Sequence, residues 1–478
     1  MRTWHLALAP GPAGDIPRYR ALAAAIAADI ERGRLRPGER LTSARVLAAE
    51  LGVNRKTVMA AIEVLRQEGW VDVRGTGGVV VAAGRPRPLA RRLPVPPPAP
   101  FVLPPAPPIL RPLPRQPGMR LLLGGVPDVR LMPTRELARA YASALSGQRG
   151  RRALDYGDPQ GNVRLREALT GMLARTRGIT VPTEDLCVVR GSQQGLYLIA
   201  HALLAPGDVV AVETPGYPPG WEALRRAGAE LAPIGVDGEG MDVDALAELC
   251  RRRPVRAVVV TPHHQYPTTV TLSPARRARL LALAHEHRLI VIEDDYDFEF
   301  HYDGPSILPL AARDPERAVV YVATMSKTLA PGLRLGYVVA HPDVIQRVVA
   351  LRSWVDQQGD HLVEQAVAQL IEDGDLQRHT HRLRRVYRAR RDSMVAALRQ
   401  HLPALRFTVP RGGMALWAEA PGMDTTAWAK RALALNVAIQ AGGPLDITGG
   451  PNAFVRLGFA ACDDAEIEAA IAALAAAR

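Results

Sequence analysis

Lysine is nearly missing from this 478-residue chain: it occurs only at Lys56, Lys327 and Lys430, and arginine supplies the rest of the 60 basic residues. Arginine is always charged, whereas a lysine amine can shed its proton and act as a nucleophile. Amine chemistry is therefore confined to three positions, and each surviving lysine poses a question that its neighbours must answer. Cysteine is as scarce. Cys187, Cys250 and Cys462 are scattered, which excludes a disulfide framework and a cysteine metal site. No apolar run approaches the roughly 18–20 residues of a membrane-spanning helix. The start, MRTWHLALAPGPAGDIPRY, lacks the charged-then-apolar order of a secretory signal. The expectation is a soluble, cytoplasmic protein with no membrane partner, long enough for two or three domains.

What is present is unevenly placed. Residues 1–118 hold 18 Arg and Lys against 8 Asp and Glu, a net +10 of the chain's +12. A basic front on a near-neutral body points to a polyanion at one end, and nucleic acid is the expected one. Residues 85–118 contain 14 prolines, six arginines and no acid. Such a run forms neither helix nor sheet interior, and is expected to be a semi-rigid, polyproline-like linker. At roughly 3.1 Å per residue it spans on the order of 100 Å when extended. A ligand for an SH3-type domain has similar composition, but the position between regions of different charge favours a linker.

Ahead of it, Leu22, Ile26 and Ile30 recur every four residues, giving a helix with one apolar face that ends at Gly33. Ser43 can cap a second helix that ends at Gly52, and Asn54 a third whose Val58, Ile62 and Leu65 face inward. The short LGVN turn between these two has helix-turn-helix spacing. WVDVRGTGGVVVAA then alternates, turns on glycine and returns as a β-hairpin wing. LTSARVLAAELGVNRKTVMAAIEVLRQEGWVDVRGTGGVVV resembles the GntR-type winged helix-turn-helix. The resemblance implies an α+β head that binds double-stranded operator DNA through Arg45, Arg55, Lys56 and Thr57. Gly75 and Thr76, at the wing tip, would approach the minor groove or backbone. Lys56 thus reads as a phosphate contact and Lys430 as a surface residue. Use of the motif for protein contacts alone is the competing reading.

From Met119 onward helices alternate with short apolar strands carrying polar residues at their C-terminal ends, the pattern of an α/β sheet with mainly parallel strands. Lys327 follows AVVYVAT, with hydroxyls at Thr324 and Ser326 and a guanidinium at Arg334. An amine in that company suits a Schiff base to an aldehyde that carries a phosphate. Asp294 and Tyr296 end LIVIEDDYD; a carboxylate there can keep a pyridine nitrogen protonated, and a phenol can bond a ring oxygen. GSQQG opens a helix, so Ser192 and Gln193 offer an anion seat. Tyr217 in ETPGYP can stack on a planar ring. His263 and His264 lie in HHQ, and His285 and His287 diverge on a helix, so no metal site is expected.

The ordered set GSQQG, PGYP, HQYP, EDDYD, SKTLAPGLRLGY resembles the fold-type-I, aspartate-aminotransferase-like pyridoxal-phosphate proteins across residues 119–478. With the head, the chain is similar to the MocR-like regulators. That implies three segments: a DNA-binding head at 1–84, the linker at 85–118 and the body at 119–478, with a smaller subdomain from roughly 351 to 478. It also implies roles. Lys327 forms the Schiff base, Asp294 pairs with the ring nitrogen, and Tyr296 bonds the ring hydroxyl. Ser192, Gln193, Thr324, Ser326 and Arg334 hold the phosphate while Tyr217 stacks. Tyr156, in LDYGDPQG, would reach the phosphate of a neighbouring subunit, which makes the protein a homodimer, with heads that can be swapped between chains. Arg456, in FVRLGFA, would grip an effector's carboxylate.

Two positions depart from the pattern. Aminotransferases usually place asparagine where Tyr266 stands, and many relatives have glycine at Thr269. PGYPPGW also lacks the arginine that some amino-acid-sensing members carry after the stacking tyrosine. The expected function is a regulator that senses pyridoxal phosphate itself or an amine or amino-acid effector. The alternative is a working aminotransferase with a DNA-binding head.

Overall fold

The computed structural model describes residues 17–74, 78–83, 116–304, 307–449 and 453–478. The chain divides into two compact units, Met1–Arg111 and Pro112–Arg478.

In the first unit, α1 (Arg18–Glu31) buries Leu22, Ile26 and Ile30, as their spacing requires. Helix α2 (Ala44–Leu51) begins where Ser43 accepts the Val46 N–H, and stops at Gly52. There φ is 62°, a left-handed conformation that glycine takes without steric cost. Helix α3 (Arg55–Gln67) starts where the Asn54 side chain accepts the Lys56 N–H at 2.9 Å. Strands β1 (Val71–Arg74) and β2 (Gly78–Val81) pair antiparallel, with Val71 opposite Val81. Leu22, Ile26, Leu47, Val58 and Leu65 pack in one buried apolar core. Each stabilises the head by roughly 1.5–3 kcal/mol on burial. Gly75, Thr76 and the expected linker up to residue 115 lie outside the described residues.

The second unit opens with β3 (Arg120–Leu121), α4 (Thr134–Ala144), α5 (Gly147–Ala153) and α6 (Val163–Arg177). An eight-stranded sheet follows, built from β4 (Leu186–Val189), β5 (Val209–Thr214), β6 (Glu230–Asp237), β7 (Gly240–Met241), β8 (Val255–Val260), β9 (Ile290–Asp295), β10 (Val319–Thr324) and β11 (Gly336–Val339). Its order is β4-β11-β10-β9-β8-β5-β6-β7. Neighbours from β10 to β6 run parallel, whereas β11 is antiparallel to both β10 and β4. Interleaved are α7 (Ser192–Leu203), α8 (Pro218–Arg226), α9 (Val243–Arg252), α10 (Pro274–His287) and α11 (Pro342–Val355).

Alternate residues of one strand feed opposite faces. In β10, Val320 and Val322 pack in the core formed with α7, α8 and α11, while Tyr321 and Ala323 pack in that formed with α6. This core also takes Val363, Val367 and Leu370 of α12 (His361–Glu372). Thus α11 and α12 pack on the large sheet, although both overlap the expected small subdomain. The smaller core gathers α13 (Asp375–His401), β12 (Arg406–Phe407), β13 (Ala415–Glu419), α14 (Thr425–Ala434), β14 (Val437–Ala438), β15 (Gln440–Ala441), β16 (Phe454–Gly458) and α15 (Asp464–Ala476). Helix α13 bridges the two cores: Leu376 belongs to the large one, and Leu383, Tyr387, Met394 and Leu398 to the small one. Strand β3 is stitched parallel to β14, which carries the start of the body along the small domain toward the strand ends. Among the described residues no helix is long and apolar enough to cross a membrane.

Candidate functional site

Antiparallel β10 and β11 set the position of the key lysine. Thr324 pairs with Gly336 across them, so the residues between make a return loop over the C-terminal ends of the parallel strands. Parallel α/β sheets present their loops for chemistry at that edge. Below the loop lies a cavity of about 280 Å³. Ser192, Gln193, Tyr217, Asp294, Tyr296, Thr324, Ser326, Lys327, Arg334 and Arg456 all line it. Residues far apart in sequence and drawn from both cores therefore converge on one space.

Lys327 Nζ donates to the Gly125 carbonyl at 2.7 Å. Burial first, then the Arg456 charge, bring its amine down to about 8, against the pull of Asp297 and Asp294. An appreciable neutral fraction near neutral pH makes it a nucleophile. Asp294, at the end of β9, is buried, and its Oδ1 has no hydrogen-bond partner among the described residues. Burial, then the adjacent Asp295, push its carboxyl up to about 7, with Lys327 opposing. The Tyr296 hydroxyl donates to the His264 carbonyl at 2.8 Å and receives Arg456 Nη2 at 3.4 Å.

One end of the cavity is built for an anion. Ser192 is the first residue of α7, where backbone N–H groups are unpaired. Thr324 Oγ1 donates to Ser326 Oγ at 2.9 Å, and Arg334 Nη2 to the Arg190 carbonyl at 2.9 Å. Arg334 has a φ of 49°, and Gly191 leaves room for its guanidinium. Gln193 donates to the Pro219 carbonyl at 2.8 Å, leaving its Oε1 without a partner among the described residues.

Another part of the lining is aromatic and cationic. Tyr266 stands edge-on to Tyr217, with ring centres 5.2 Å apart, and to Tyr296, at 6.3 Å. Arg456, on β16, lies over the Tyr266 ring at 4.2 Å. It is fully buried, and its Nε and Nη1 have no hydrogen-bond partner among the described residues. Gly124, Gly125 and Val126, from one segment of the chain, also line the cavity and went unread in the sequence. Their only signal is the glycine pair in LLLGGVPD.

Tyr156 does not join this cavity within its own chain; it is 85% exposed beside a separate depression that includes Arg152 and His361. The histidines flagged in the sequence are engaged elsewhere: His263 Nε2 meets the Ile307 carbonyl, and His264 Nδ1 meets Asp297 at 2.7 Å. In the head, Arg45, Arg55 and Lys56 are exposed and Thr57 is half-buried. The last three occupy the first turn of α3, which contains no acid.

Residues 128–474 match the family Aminotransferase class I and II, and residues 18–81 match the bacterial regulatory proteins of the gntR family. The HTH-type transcriptional regulator TauR of Rhodobacter capsulatus is 35% identical over 98% of this chain and 97% of its own. The probable rhizopine catabolism regulatory protein MocR of Rhizobium meliloti is 30% identical over 81% of this chain and 78% of its own. Among solved structures, LysN, an alpha-aminoadipate aminotransferase of Thermus thermophilus complexed with N-(5'-phosphopyridoxyl)-L-leucine, superposes with a TM-score of 0.71. It is 32% identical, and the match covers 76% of this chain and 92% of that one.

Proposed function

We propose a function from one premise: this chain belongs to the aminotransferase class I and II family, and its gntR-family head makes it a regulator of the MocR-like kind. The protein is a DNA-binding transcriptional regulator whose body takes pyridoxal phosphate, and that body senses the cofactor or an amine. One observation carries the reading. Lys327, Asp294, the anion seat around Ser192 and Arg334, and Arg456 face a single cavity.

The residues fit the cofactor. Asp294 Oδ1, which can accept from a protonated ring nitrogen, and Arg456 Nε and Nη1, which can donate to a carboxylate, are buried polar atoms with no hydrogen-bond partner among the described residues, a costly arrangement unless a ligand completes it. Bound, pyridoxal phosphate supplies an aldehyde that takes amines and a pyridine ring that draws electrons from them. Lys327 would hold it covalently through Nζ. Asp294 would face the ring nitrogen, whose positive charge would pull the carboxyl back below 7 and keep it ionised. Tyr296 would bond the ring hydroxyl, and Tyr217 would stack. Ser192, Gln193, Thr324, Ser326 and Arg334 would hold the phosphate, joined by Tyr156 of a second subunit in a homodimer. Arg456 is left for the carboxylate of an effector.

In the head, Arg45, Arg55, Lys56 and Thr57 would contact operator DNA, with Gly75 and Thr76 at the wing. Heads swapped between the chains of a cytoplasmic dimer are compatible with the linker's reach. The test is a visible absorption spectrum with pyridoxal phosphate, then titration with amines and amino acids. A spectral shift without accumulation of pyridoxamine phosphate supports an amine-sensing regulator. Ready conversion to pyridoxamine phosphate, with turnover of a keto acid, identifies an aminotransferase instead. A spectrum indifferent to every amine makes the cofactor itself the signal.

A further inference from the structure

Tyr266 occupies a structural position that its sequence neighbourhood does not announce. Its hydroxyl accepts a hydrogen bond from Gln440 Nε2 at 2.8 Å. Gln440 lies on β15, directly opposite Arg456 on β16. The same strand pair therefore carries the guanidinium and the side chain that anchors the ring beneath it. On the other side, Gly124 closes the arrangement: a Cβ there would fall 2.3 Å from Arg456 Nη1. The guanidinium is pressed between an aromatic face and bare backbone, which fixes its plane.

Two further facts bear on what such a site admits. Among the described lining residues the cations are Lys327, Arg334 and Arg456. With the first two committed to the cofactor, this chain's described lining offers one remaining guanidinium, enough for one carboxylate. The cavity, about 280 Å³, lies just below the roughly 300–1,000 Å³ usual for ligand pockets. It must hold the cofactor and the effector together. Tyr266 fills space beside Tyr217 and Tyr296 that a longer effector side chain would need.

We propose that Tyr266, locked by Gln440, sets effector specificity, and that the effector is an amino acid with one carboxylate and a short, uncharged side chain. This rests on the cofactor-binding reading above. Glycine and alanine fit; leucine and phenylalanine meet the Tyr266 ring; aspartate and glutamate bring a second carboxylate for which the described lining residues of this chain hold no further cation.

The experiment loads the full-length protein with pyridoxal phosphate and titrates these six amino acids. It follows visible absorbance and, on the same samples, the shift in thermal melting. Wild type is expected to respond to glycine or alanine at concentrations at least tenfold below those needed for leucine, phenylalanine, aspartate or glutamate. In Tyr266→Ala the advantage over leucine and phenylalanine should shrink below threefold or reverse. Gln440→Ala, which keeps the ring but frees it, should move the ratio the same way by a smaller factor. A variant that merely weakens the fold lowers every affinity together and leaves the ratio fixed. The inference is overturned if bulky or dicarboxylic amino acids match the short ones on wild type, if no amino acid shifts either signal, or if both variants keep the wild-type ratio. If wild type shows no cofactor absorbance at all, the underlying reading fails and this one with it.

Discussion

At the residue scale the scarcity of lysine has a physical reading. Arginine at position 327 would stay charged at any working pH, so only lysine can give the neutral amine that attacks an aldehyde. Because burial and Arg456 bring Lys327 down to about 8, capture of pyridoxal phosphate by the cofactor-free protein should accelerate with pH through a midpoint near 8. A midpoint near 10.5, the ordinary value, would mean the amine is not perturbed. Glu213 gives a second pH signature. Thr261 N–H, Thr261 Oγ1 and Gln265 Nε2 all donate to its Oε2, yet burial outweighs them and pushes its carboxyl from 4.5 up to about 7. The folded state then holds a proton that the unfolded state has released, so stability is full below about 4.5 and falls as pH rises through 7. A shift of that size corresponds to on the order of 3 kcal/mol. Glu213→Gln should flatten the fall in melting temperature between pH 5 and 7; an unchanged slope would assign it to other groups. Lys327 and Asp294 were legible in the sequence because each sits in a short polar run at the end of an apolar strand, and Arg334 because it is the lone charge in LAPGLRLGY. The Tyr266–Gln440–Arg456 arrangement was not, since its members are distant in sequence and meet only when the two cores close on one another.

At the scale of elements, periodicity carried most of the fold. Four-residue recurrence placed α1, and Ser43 and Asn54 marked the starts of α2 and α3. Apolar runs ending in polar residues placed the strands around the cavity. Replacing the α3 cap, Asn54→Ala, should cost about 1 kcal/mol of local stability, read as faster hydrogen exchange of the first α3 amides. Unaltered protection would show that packing alone holds that turn. What periodicity could not show was strand direction. Nothing in LRLGYVVA says that β11 runs against β10, although that reversal creates the loop holding Lys327. Nor did it show that α12 packs on the large sheet, because an apolar helix face does not name its partner. Gly124 was hidden for a similar reason, as a glycine pair gives no periodic signal. Gly124→Ala should displace Arg456 and weaken amino-acid binding at least tenfold while cofactor absorbance is retained. Equal affinity would show that Arg456 has room to shift.

On the scale of the whole molecule, the charge distribution divides the labour: +10 on residues 1–118 and about +2 on the rest. A basic head should bind DNA with strong salt dependence, and Arg55→Gln or Lys56→Gln should each reduce the log–log salt slope by about 0.9 if each meets a phosphate. An unchanged slope would remove that residue from the interface. Coupling between the parts requires that the effector bind one conformational state better than another. The bridging helix α13 and the strand β3 give the small core mechanical links to the rest of the body. The central claim is that chemistry at Lys327 controls DNA binding by the head. Its most direct test selects an operator from random duplexes, then measures the affinity of wild type and Lys327→Arg, each with pyridoxal phosphate and the responding amine. In wild type the amine should change operator affinity by about 5–150-fold, and in Lys327→Arg it should change nothing. An equal response in both proteins, or none in wild type, would contradict the account.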